Sequence, residues 1–105
     1  MRDLAPSATR RLSTAEQVRI LRNQIAFLEE EIAEMERQIE ALVEDNAETD
    51  FLAGVNERMR SAAVVDLYRT NVRRIESLRL AIEGAWSDIR AYRRALEERA
   101  GVAAP

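Results

Sequence analysis

Between residues 18 and 42 an apolar side chain recurs at alternating steps of three and four: Val18, Leu21, Ile25, Leu28, Ile32, Met35, Ile39 and Leu42. The mean step of about 3.5 residues is the period at which a helix keeps one narrow stripe turned toward a partner helix. Such a segment is helical, and its stripe has to be buried along a seam with another helix. A second stripe follows through Tyr68, Val72, Ile75, Leu78, Ile82, Ala85, Trp86, Ile89, Tyr92 and Leu96. Two stripes in one short chain predict two long helices packed along their length.

The rest of the composition agrees with an all-α chain. Only three glycines and two prolines interrupt 105 residues rich in Ala, Leu, Glu and Arg, and nothing alternates with the period of two that marks a strand. Seventeen of the apolar residues are alanines, so the core is small. A chain of this size buries a low fraction of its surface, and self-association is the expected remedy.

Local signals divide the chain. Residues 1–12, with Pro6 and the pair Arg10 and Arg11, read as a flexible basic arm. Ser13 with Glu16, or Thr14 with Gln17, fits the box in which a hydroxyl and a carboxyl or amide cap the first turn of a helix. The first helix is predicted over 14–46. In the next stretch the core positions are polar, Asn46 and Thr49, among the acids Glu44, Asp45, Glu48 and Asp50, which predicts a turn at 47–50. A single helix over 51–99 completes the helical unit of 13–100, and Gly101 opens a tail at 101–105.

Helices of such unequal length leave an overhang of about 25 Å at 1.5 Å per residue. That overhang holds Ile82, Trp86, Ile89, Tyr92 and Leu96, whose apolar face needs cover. A parallel pairing of two first helices would set Glu31 against Glu36. The favoured arrangement is therefore an antiparallel hairpin, or coiled coil, whose overhangs overlap with those of a second chain in a four-helix bundle. The predicted helix seam comprises the first stripe with Ile75, Leu78, Ile82, Ile89 and Leu96. Apolar side chains flanking the seam or on the overhang, Ile20, Phe27, Leu80, Trp86 and Tyr92, are the candidate interface, with Trp86 leading because a large indole suits a half-buried contact.

Charge is unevenly spread. Residues 14–50 carry three arginines against eleven acids, and residues 51–105 carry ten arginines against seven acids. An acidic first half and a basic second half favour packing of one against the other, within or between chains.

The chain contains no His, Cys or Lys. It thus lacks the commonest general base, the strongest nucleophile, the Schiff-base amine and the soft metal ligands, and no catalytic residue, cofactor or metal site is expected. The acids Glu29, Glu30, Glu31, Glu34, Glu36 and Glu40 read as a solvated helix face. Leu21-Arg22-Asn23-Gln24-Ile25 with Glu29–Ile32 is loosely similar to the long first helix of the small all-helical chorismate mutases. That resemblance spans some twelve residues and implies an active-site lysine that this chain lacks, so no enzyme activity is inferred from it.

A non-enzymatic protein-binding module is the expected function: an assembly subunit, scaffold, adaptor or chaperone-like accessory protein, self-associating and able to engage a further protein. The alternative is a nucleic-acid-associated helical protein using Arg69, Arg73, Arg74, Arg79, Arg90, Arg93 and Arg94. Interleaved Glu76, Glu83, Asp88, Glu97 and Glu98 weaken that reading. No membrane-spanning run and no secretory signal stand in the sequence, and the expected location is the cytoplasm.

Overall fold

The computed structural model describes residues 11–56 and 61–103. They form two antiparallel α-helices of equal length, α1 over Thr14–Val55 and α2 over Ala62–Ala103, each of 42 residues. The fold is an all-α hairpin, as the two stripes predict.

α1 begins where the capping signal stands. Ser13 Oγ accepts the Glu16 backbone N–H at 3.1 Å, and Glu16 Oε1 accepts the Ser13 N–H at 2.8 Å, so two amides that the first turn leaves free are satisfied reciprocally.

The turn expected at 47–50 is helix instead. Asn46 occupies a seam position and is buried, but it is not an unsatisfied polar group. Its Oδ1 accepts from Asn71 Nδ2 at 3.0 Å, and its own Nδ2 donates to the Tyr68 carbonyl at 3.4 Å. With its hydrogen bonds made across the seam, a buried amide does not have to end a helix. The neighbouring acids Glu44, Asp45, Glu48 and Asp50 are exposed, where their charges are solvated.

α1 ends at Val55, nine residues beyond the expected end at 46. Asn56 has extended backbone (φ −144°, ψ 110°) and donates its N–H to the Leu52 carbonyl at 2.9 Å. At the start of α2, Ser61 Oγ accepts the Val64 N–H at 3.4 Å, and the Ser61 carbonyl accepts the Val65 N–H at 3.1 Å. The single helix expected over 51–99 is thus divided: 51–55 belong to α1, and α2 starts at 62. At the other end α2 continues across Gly101 to Ala103, because Gly101 does not take the left-handed conformation with which a glycine terminates a helix. The expected tail therefore begins later than 101, and residues 104–105 lie outside the described residues. So do residues 1–10 of the expected arm.

Equal helices leave no overhang. Each is about 63 Å long, and the cross-seam contacts show that the numbers of residues lying level add to about 117, as in Asn46 with Asn71 and Gln17 with Arg99. The residues expected on an overhang lie alongside the first half of α1. Ile25, Ile32, Ala85 and Ile89 form a buried cluster, with Leu28, Met35, Ile82, Tyr92 and Leu96 packed around it. Nearer the turn Ile75 and Leu78 are also buried.

Candidate protein-interaction surface

The seam residues come together along the inner edge of the hairpin. Ile25, Ile32, Ile75, Leu78 and Ile89 are buried, Ile89 completely, and Val18, Leu21, Leu28, Met35, Ile39, Leu42, Ile82 and Leu96 are half-buried. Two helices enclose a stripe only on the line where they touch. Their remaining apolar side chains face outward, and the two open faces of the hairpin differ.

On one face, the residues that follow the seam in α1, Glu29, Glu36, Val43 and Asp50, run beside Val65, Val72, Arg79, Trp86 and Arg93 of α2. Arg93 Nη2 donates to Glu29 Oε2 at 3.3 Å across this edge, and both side chains stay about half exposed. A pair in that setting contributes about 0–1 kcal/mol and aligns the helices more than it holds them. Val43, Val65, Val72 and Trp86 all remain exposed, Trp86 by 37%. A shallow groove of about 340 Å³ on this face has a lining that includes Val43, Tyr68, Val72 and Ile75, with Asp50, Glu76 and Arg79 beside them. The groove continues past Ile39 and Ile82, between Glu36, Arg79 and Glu83.

The opposite face carries the contact in which Arg74 Nη2 donates to Gln38 Oε1 at 3.5 Å. Ile20 and Phe27 stand on the α1 side of that face, 42% and 56% exposed. Glu34 is nearby, its side chain about half exposed. The hydrogen bonds from Arg37 and Gln38, followed by the Arg37 charge, hold its carboxyl below the usual carboxylate range.

The five candidate interface residues therefore do not form one patch. Ile20 and Phe27 share a face, Trp86 lies on the other, and Leu80 is 68% exposed on the outer side of α2. Tyr92 packs against the buried cluster and belongs to the core. Val43, Val65 and Val72 were not among the candidates, although a signal for two of them existed: Val65, Val72, Arg79 and Trp86 recur at steps of seven, a second heptad row beside the seam.

The arginines of α2 do not gather on one side. Arg93 is paired with Glu29, Arg74 reaches Gln38, and Arg99 Nε donates to Gln17 Oε1 at 3.0 Å. Among the described residues, no three acids are grouped so as to hold a metal ion, and no helix is long and apolar enough to cross a membrane.

No known protein family matches the chain, and no curated protein and no solved structure is similar to it.

Proposed function

We propose that this hairpin is a non-enzymatic protein-binding module that self-associates into a four-helix bundle, in the manner of a scaffold, adaptor or assembly subunit. The observation that carries the reading is the imbalance of apolar surface. Eleven large apolar side chains stay exposed among the described residues, while the apolar core consists of six buried residues, one of them an alanine. Exposed apolar residues arranged in rows along rigid helices are what a partner helix would cover.

A second hairpin is the simplest cover, because it brings the same two helices and a symmetric contact. Light scattering of the purified chain at micromolar concentration tests it. The expected mass is about twice the 12.0 kDa of one chain. A well-folded, strongly helical monomer would overturn the self-association. Binding to nucleic acid is the weaker reading, since the arginines of α2 are dispersed and several contact α1; a salt-dependent mobility shift with DNA or RNA would favour it instead.

A further inference from the structure

We infer that the turn end of the hairpin, residues 47–55 of α1 with 62–70 of α2, opens as a unit of its own while the middle of the seam stays closed. The Asn46–Asn71 layer is the boundary. This opening belongs to the single hairpin and does not require self-association.

Burial of apolar side chains stops at that layer. The six buried apolar residues all lie between the level of Ile25 with Tyr92 and the level of Leu42 with Ile75. Among the described residues, none from 47 to 55 or from 62 to 70 is buried. The steps of three and four that mark the seam continue from Asn46 to Thr49 and Ala53, whose side chains are small. They come level with Tyr68 and Val64, and a groove of about 260 Å³ stays open along them. Two large side chains in this part of α1, Phe51 and Val55, point away from the seam and are each 67% exposed. Little apolar contact therefore holds the two helices together here.

Each helix is also weak at this end on its own account. Thr49, Gly54 and Val55 in α1 and Val64, Val65 and Thr70 in α2 are poor helix formers, whereas residues 25–42 are mainly Ala, Leu, Met, Glu, Gln and Arg. The last turn of α1 has no basic residue and the first turn of α2 no acidic one, so neither helix dipole is compensated where the turn joins them.

A hairpin is tethered at its turn, and its free ends are the natural place to fray. Here that order is reversed. The open end has the capping box of Ser13 and Glu16, the half-buried seam residues Val18, Leu21 and Leu96, and the Arg99–Gln17 hydrogen bond. The middle of the seam needs only that Asn46 meet Asn71, which closes a loop of 25 residues without any contact inside it. Opening of the turn end uncovers Leu52, Val64 and Tyr68 beside the exposed Phe51, Val55, Val65 and Leu67. The apolar surface at this end thus changes while the core stays folded.

Hydrogen exchange of single amides, followed by NMR on the purified chain, tests the opening. The amides of Thr49 and Tyr68 are expected to be protected at least about a hundredfold less than those of Ile32 and Ile89, and to respond little to low urea, the mark of local opening. They should also be less protected than Leu21 and Leu96, which lie about as far from the helix ends at the open side. T49L/A53L, which fills the seam where the groove lies, is expected to slow exchange at Tyr68 at least about tenfold. Protection and urea dependence shared by Tyr68 and Ile89, weaker protection at Leu21 and Leu96 than at Thr49 and Tyr68, or no slowing in T49L/A53L overturns the inference. None of these outcomes touches the self-associating reading, which the mass in solution decides.

Discussion

Arg99 reaches back across 82 positions of sequence to Gln17, its Nε donating to Oε1 at 3.0 Å while its Nη1 donates to the Ala95 carbonyl. The contact closes the open end of the hairpin as the Asn46–Asn71 pair does near the turn. Polar groups thus mark both ends of the seam, and the buried apolar cluster lies between them. Apolar layers that resemble one another can slide by a turn with little penalty, whereas a slipped register would strand buried amides without partners. The two polar contacts fix which layer meets which.

The seam and the outer faces should respond differently to truncation. Ile89→Ala, at a side chain with no exposure, is expected to lower stability by about 2–5 kcal/mol through lost burial and a residual cavity. Leu80→Ala, two-thirds exposed, should stay within about 0.5 kcal/mol. Urea denaturation of the two variants checks the pair of values, and equal losses would mean that Leu80 is covered in solution.

The Asn pair predicts non-additivity. Asn46→Ala strips the Asn71 amide and the Tyr68 carbonyl of their cross-seam partner and should cost about 1–3 kcal/mol, whereas replacing both asparagines by leucine should be close to neutral. A double-mutant cycle measures the coupling. The leucine pair should also admit more than one register, visible as doubled amide resonances.

Gly84 lies within α2, and a Cβ built there meets nothing within 4 Å. Glycine inside a helix is less favourable than alanine by about 0.5–1 kcal/mol. Gly84→Ala should therefore raise the melting temperature of the chain. A lower melting temperature would reveal close approach of another molecule on the outside of α2.

Much of this fold is readable from local sequence. The stripe from Val18 to Leu42 is continuous, Ser13 and Glu16 lie three residues apart, and together they define the start and the buried edge of α1. The end of α1 was harder to read for a physical reason. Asn46 looks like a helix-ending residue within its own neighbourhood, and the group that satisfies it, Asn71, lies 25 residues away on the other helix. Once α1 is prolonged, the overhang vanishes and Ile89, Tyr92 and Leu96 become part of the intrachain core. The faces were legible in part. Phe27 and Trp86 stand out by size, but their assignment to opposite sides depends on which flank of α1 meets which flank of α2, and that is fixed only when the helices are docked.

The constant level relation between α1 and α2 also orders how the molecule comes apart. Groups near the turn meet after closing a loop of about 25 residues, whereas Gln17 and Arg99 must close one of 82, so contact formation is expected to spread from the turn toward the open end. The ends of α1 and α2 lie side by side there, and tension applied between residues 14 and 103 would load the layers one after another. An optical-trap measurement on the single chain should record opening at low, nearly constant force, as in the peeling of a zipper. If one abrupt high-force rupture appeared instead, the layers would be sharing the load.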